Sequence, residues 1–287
     1  VNLPVFRKNA PSAIVGDSLY VFGGLDANMQ GFKSVLRARI QPDGTLGTLE
    51  TIPSTANFGS DREAVTVLDG QVYLRVGQRV ARTPQGLDLG VPGFNTGYTT
   101  TTTREYPTTV LLDDQFYVIG GSGLEVNTEK ATIQPDGSLS SFGTGPRLFQ
   151  LRRRHVTAVV GNHLYAMGGD FTNREYVERA LITPSGSSHT IGHFATVLTG
   201  TTTMNIPDLV TFDPIQPVVL IGNALYDFSG GHSGTVKRLR IGPEGEIAWP
   251  EQVPFRFLGS DTKTACHQTG NVLHFVSERG IESVRIR

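Results

Sequence analysis

The sequence predicts an all-β fold, a six-bladed β-propeller of four-stranded antiparallel blades. Three observations predict it. Glycine is abundant, 34 of 287 residues, roughly 12% where ~7% is usual. Short β-branched runs alternate with two-residue turns. One strand–turn–strand unit with an aromatic in register recurs six times, about every 50 residues.

The first strands are Ala13-Ile14-Val15, Val65 to Leu68, Val110-Leu111-Leu112, Ala158-Val159-Val160 and Val218 to Ile221. The turns that follow are Gly16-Asp17, Asp69-Gly70, Asp113-Asp114, Gly161-Asn162, Gly222-Asn223 and Gly270-Asn271. Gly, Asn and Asp tolerate the positive φ that two-residue hairpin loops require. The second strands carry Tyr20, Tyr73, Tyr117, Tyr165, Tyr226 and His274 in register. Four of them end in a glycine pair: Gly23-Gly24, Gly120-Gly121, Gly168-Gly169 and Gly230-Gly231. After a variable loop and a third strand comes a Pro-x-Gly turn at Pro42, Pro84, Pro135, Pro184 and Pro243. Proline presets φ and glycine takes the left-handed position, which predicts a hairpin into a fourth strand.

The second strand ending in Gly-Gly resembles the kelch-repeat family. It stands as Leu19-Tyr20-Val21-Phe22-Gly23-Gly24, Phe116 to Gly121 and Leu164 to Gly169. The resemblance extends over essentially the whole chain. Blade 2 departs with Arg75-Val76-Gly77 and blade 6 with Val276-Ser277-Glu278. The tryptophan usual in the fourth strand survives at best as Trp249, with Leu49 and Phe142 in that slot elsewhere.

Val1 to Pro4 match the end of a fourth strand such as Ile52-Pro53 or Val253-Pro254. The N-terminus is therefore expected to complete the last blade and close the ring. The rival expectation is a truncated blade whose missing strand lies in a flanking domain. A single domain over residues 1–287 is predicted. No signal peptide is legible, and the opening on Val1 points to a processed product or an excised domain.

Charge is balanced at 25 Lys plus Arg against 26 Asp plus Glu, which gives no support to a nucleic-acid binder. No apolar run approaches the roughly 18 residues of a membrane helix. One cysteine, Cys266, excludes an internal disulfide or a cysteine-cluster zinc site. His189 and His193 lie in the predicted fourth strand from Ser187 to Thr196. Four residues of strand span about 13 Å, too far for one metal ion. No metal and no cofactor are expected.

The family analogy puts the first strand of each blade on the central channel. Aligned on the register aromatic, Asn9, Arg62, Tyr106, Arg154, Ile215 and Lys263 share one position. The next holds Ala10, Glu63, Pro107, His155, Gln216 and Thr264. Two residues before the first set stand Arg7, Ser60, Arg104, Arg152, Asp213 and Asp261. Arginine thus gathers at one axial mouth. Such a mouth concentrates anions, and guanidinium bonds carboxylate or phosphate in two prongs. The ligand-binding set expected is Arg7, Arg62, Glu63, Arg104, Arg152, Arg154 and Lys263. The plainer alternative is that Arg62 and Arg154 tie blade to blade, and that Arg152-Arg153-Arg154 is a solvated turn.

No nucleophile elbow and no phosphate loop are present. The function expected is recognition of an acidic carbohydrate or an acidic protein partner. An extracellular setting is preferred, as an adhesin including the tip of a virion fibre, over an intracellular scaffold. The alternative is a polysaccharide lyase acting on a uronic-acid sugar. His155 or Tyr106 would serve there as acid or base, with arginines neutralising the substrate carboxylate.

Overall fold

In blades 1, 3, 4, 5 and 6 the hairpin that opens the blade begins on a residue in the left-handed region. Gly16, Gly161, Gly222 and Gly270 have φ between 56° and 62°, and Asp113 has φ 51°. The computed structural model describes residues 1–53, 64–68, 70–76, 78–83, 95–121, 126–169, 177–186, 188–199, 202–203, 218–228, 235–248, 251–257 and 263–286. Arg62, Glu63, Asp69, the turn at Pro84, the Gly230-Gly231 pair and Trp249 lie outside the described residues.

Blade 1 is β1 (Ser12–Val15), β2 (Ser18–Phe22), β3 (Ser34–Ile40) and β4 (Leu46–Pro53). Blade 2 is β5 (Ala64–Leu68), β6 (Gln71–Val76), β7 (Arg79–Arg82) and β8 (Asn95–Thr99). Blade 3 is β9 (Thr108–Leu112), β10 (Gln115–Ile119), β11 (Asn127–Thr132) and β12 (Gly143–Arg147). Blade 4 is β13 (Val156–Val160), β14 (His163–Met167), β15 (Val177–Ser185) and β16 (Ser188–Ile191), with β17 (Ala195–Thr196) also on β15. A small hairpin follows, β18 (Leu198–Thr199) with β19 (Thr202–Thr203). Blade 5 is β20 (Val218–Ile221), β21 (Ala224–Asp227), β22 (Thr235–Arg240) and β23 (Glu251–Pro254). Blade 6 is β24 (Lys263–Thr269), β25 (Val272–Ser277) and β26 (Ile281–Arg285). Pairing within every blade is antiparallel and sequential.

The N-terminus supplies the fourth strand of blade 6. Ile281 donates to the Val1 carbonyl at 2.7 Å, Leu3 to Arg279 at 2.7 Å, and Asn2 bridges Gly280. The described blades fall into two compact units. Val1–Thr99 with Gly259–Arg287 holds blades 1, 2 and 6; Thr100–Leu258 holds blades 3, 4 and 5.

Within each unit the apolar core lies between neighbouring blades. Alternation along β2 sends Tyr20 and Phe22 toward Val72 and Leu74 of blade 2. It sends Leu19 and Val21 toward Val276 and Ile281 of blade 6, where Leu3 also packs. In the other unit, Leu164 and Ala166 pack on Tyr117 and Ile119, while Tyr165 and Met167 face Leu225 and Leu239. A central strand apolar on both faces is what a stack of sheets demands.

The fourth strand of blade 4 is broken where the sequence predicts it continuous. Ser188–Ile191 and Ala195–Thr196 both pair with β15, and His193 lies between them. The reason is local: the His193 Nδ1 accepts the Arg147 N–H at 2.9 Å, which draws the segment toward β12. The first threonine-rich stretch also finds a structural use. Thr101 and Thr102 donate their N–H groups to Glu129, and the Thr102 hydroxyl bonds the same carboxylate at 2.6 Å.

Candidate functional site

In blades 1, 3 and 4 the segment entering the first strand sets three kinds of residue in a fixed order. Arg7, Arg104 and Arg152 come first and are buried, at 3%, 3% and 2% exposure. Two residues on, Asn9, Tyr106 and Arg154 all adopt the left-handed backbone, with φ of 53°, 53° and 55°. Immediately after, Ala10, Pro107 and His155 are buried again.

The buried arginines hold this segment to the glycine pair of their own blade. Nη1 of Arg7, Arg104 and Arg152 donates to Gly23 O, Gly120 O and Gly168 O at 2.7, 2.9 and 2.8 Å. Each bond spans the same 16 residues. In blades 3 and 4 a carboxylate completes the clamp. Arg104 Nε donates to Glu129 at 2.9 Å and Arg152 Nε to Glu178 at 2.8 Å. Glu178 also accepts the N–H groups of Phe149 and Gln150. Burial pushes the Glu129 carboxyl up, but the bonds from Thr102, Arg104 and Thr101 outweigh it and the net shift is down. Blade 1 lacks the acid. Arg7 bonds Ser34 O and Oγ instead, packs over the Phe32 ring at 4.3 Å, and is pushed down to about 10 by burial.

The glycine pair is required by close approach. A Cβ on Gly120 would stand 2.5 Å from Arg152 O and 2.6 Å from the His155 ring. The imidazole of His155 is thus enclosed, at 5% exposure, with Nε2 3.1 Å from the Thr108 hydroxyl. Burial, and then the charge of Arg152, hold its pKa down to about 3. It is a neutral packing group at neutral pH.

Tyr106 and Arg154 are the predicted site residues that come together within one unit. The Arg154 guanidinium carbon lies 4.2 Å from the Tyr106 ring centroid, and Arg154 N–H donates to Tyr106 O at 2.9 Å. Both are half-buried. A bulky residue with positive φ is uncommon, and two in contact mark a place where geometry is imposed. The stack holds a cation in a fixed orientation over one face of the aromatic ring. Arg104 and Arg152 lie buried beneath it, bonded to glutamate and backbone. Arg7 belongs to the other unit. Lys263 opens β24, its side chain outside the description, as are Arg62 and Glu63 altogether.

Sequence reasoning missed Glu129, Glu178 and Ser34. The constant interval of 16 residues between arginine and glycine pair signals a paired role for the arginine, but its other partner shifts through 25, 26 and 27 residues and so leaves no fixed spacing to read.

No protein-family model matches the chain, and no curated protein matches it. Among solved structures, YjhT is similar over 98% of this chain and 95% of its own, with a TM-score of 0.63 at 10% identity. The fold is a six-bladed β-propeller. At that identity the likeness carries the fold alone. The propeller fold is compatible with binding and enzymatic modules alike and selects neither.

Proposed function

We propose that this propeller is a kelch-type recognition module that binds an acidic carbohydrate through the face bearing Tyr106 and Arg154. The observation that supports it most is the guanidinium–tyrosine stack at 4.2 Å, presented by two left-handed residues. A preset guanidinium loses little freedom on pairing with a carboxylate. On this reading a sugar meets the ring face that the guanidinium does not cover, or the guanidinium itself. The lyase reading needs a base that reaches substrate; the enclosed His155 serves it poorly, so that reading rests on the half-buried Tyr106.

The test is retention of the protein on immobilised polygalacturonate and on its neutral methyl ester, with ultraviolet absorbance followed for unsaturated uronate. Retention on the acid form alone, weakened in Arg154→Gln and without new absorbance, supports the reading. Rising absorbance overturns it in favour of a lyase. Binding to an acidic peptide but to neither polysaccharide makes the partner a protein.

A further inference from the structure

We propose a second site, unrelated to the Tyr106–Arg154 face and independent of its reading. It is a groove between blades 3 and 4 that takes a neutral saccharide.

The argument starts from a pair repeated across the blades. The register tyrosine of the second strand stands opposite a cation on the third: Tyr20 and Arg37, Tyr73 and Arg82, Tyr117 and Lys130, Tyr165 and Arg179, Tyr226 and Arg238. Between blades 4 and 5 this pair caps the next blade's Pro-x-Gly turn. The Tyr165 hydroxyl and Arg179 Nη1 both donate to Gly245 O, at 2.7 and 2.6 Å.

Between blades 3 and 4 the corresponding turn has a different shape. The turns at Pro42 and Pro135 are closed by an aspartate, whose carboxylate accepts the N–H of Thr45 or Ser138 at 2.9 Å. Blade 4 has Ser185 in that place. Without the carboxylate, Pro184 and Ser185 continue β15 and pair with His189 and Ser188. Among the described residues, neither Tyr117 nor Lys130 then has a hydrogen-bond partner on this hairpin. A groove of about 410 Å³ lies over them instead. That is within the roughly 300–1,000 Å³ of small-molecule sites.

The wall opposite is braced. His189 Nδ1 sits 2.9 Å from Asp113, and the Ser188 hydroxyl bonds Asp113 and Asp114 at 3.3 Å. Six side-chain groups among the lining residues carry capacity that no bond within the described residues takes up. They are the Tyr117 hydroxyl, Lys130 ammonium, Gln115 Oε1, Ser141 and Ser185 hydroxyls, and His189 Nε2. Donors, acceptors and groups that can act as either are mixed, as adjacent sugar hydroxyls require. The lining holds one lysine, and Asp113 and Asp114 stand one bond behind it through His189 and Ser188, so no net positive charge selects an anion.

The experiment is saturation-transfer NMR on the whole chain with methyl glucoside, methyl galactoside, methyl mannoside and methyl glucuronide. We expect transfer to at least one neutral glycoside. It should be abolished in Ser141→Trp, which fills the groove, and weakened about tenfold or more in Lys130→Ala. Both positions are exposed, so folding should persist, and a melting curve checks it. Arg154→Gln should leave the signal unchanged. Transfer to none of the neutral glycosides, transfer that survives Ser141→Trp, or transfer to the glucuronide alone overturns the proposal. Loss in Arg154→Gln places the sugar on the other face and overturns it equally.

Discussion

Arg152 and Glu178 form an ion pair of 2.8 Å in which the two side chains are 2% and 0% exposed. The pair joins the segment entering β13 to β15, and the same guanidinium reaches Gly168 O. An arginine that reads in sequence as part of a charged turn is thus an internal clamp. In register, Glu178 faces Ala166 and Glu129 faces Val118, while Leu36 faces Val21 at the same place in blade 1.

Removing a clamp that contains a carboxylate should cost more than removing one that does not. Arg152→Met leaves the Glu178 carboxylate buried without its cation, held only by two backbone N–H groups, a loss of about 3–5 kcal/mol. Arg7→Met leaves only carbonyl and hydroxyl partners, about 1–3 kcal/mol. Urea unfolding of the two variants checks the order. Equal losses would mean the acid adds nothing to the clamp.

Two glycine replacements should separate close approach from backbone strain. Gly169→Ala places a Cβ 2.5 Å from Arg153 O at φ +99°, and a loss of about 3 kcal/mol or more is expected. Gly161→Ala meets nothing within 4 Å at φ +56°, so only left-handed strain of about 1–2 kcal/mol remains. Thermal melts of the two single variants decide it. A similar small shift in both would count against the packing described for the glycine pair.

Acid should destabilise the fold before its carboxylates titrate. His155 is held to about 3 by burial and then by Arg152. His267 is held to about 4 by burial and then by His274, with Nε2 2.8 Å from the Ser12 hydroxyl. Unfolded imidazoles bind protons near pH ~6.5 while the folded ones stay neutral. Stability is therefore complete above pH ~6.5 and falls below it, by roughly 1 kcal/mol per unit for each ring, until the folded pKa values are reached. Urea midpoints measured from neutral pH down to about pH 5 should fall steadily, and less steeply in His267→Gln. A flat profile would show that neither ring is held neutral in the folded state.

Tyr106→Asn should uncouple binding from stability. Asparagine accepts the left-handed backbone, so the change in unfolding free energy should stay under about 1 kcal/mol. Retention on polygalacturonate should nevertheless drop about tenfold or more. If the protein unfolds, the stack with Arg154 is a structural tie; if retention persists, the ligand lies elsewhere.

Blades, turns and the closing role of the N-terminus were legible because they rest on local rules. Hairpin turns need residues that tolerate positive φ, and strands buried on both faces need apolar residues at consecutive positions. Gly16-Asp17, the run from Leu19 to Phe22 and the pairing of Val1 to Leu3 with blade 6 all followed from such rules. Departures had two sources, a single residue within a turn and a contact from far along the chain. Ser185 in place of an aspartate lengthened the blade 4 hairpin, and His193 left its strand for a backbone N–H of blade 3.

The repeat therefore determined the fold class without any knowledge of contacts, and it placed Arg7, Arg104 and Arg152 at one equivalent position. What it could not determine was the direction in which each side chain turns. Positions two residues apart in the entering segment look alike in a linear alignment, since both carry arginine. Only the folded blade separates them. Gly168 offers a carbonyl and Glu178 a carboxylate beneath the segment, which draws Arg152 inward. The left-handed turn carries Arg154 the other way, onto Tyr106. A buried guanidinium must be satisfied by partners distant in sequence, and those partners exist only once the strands have paired.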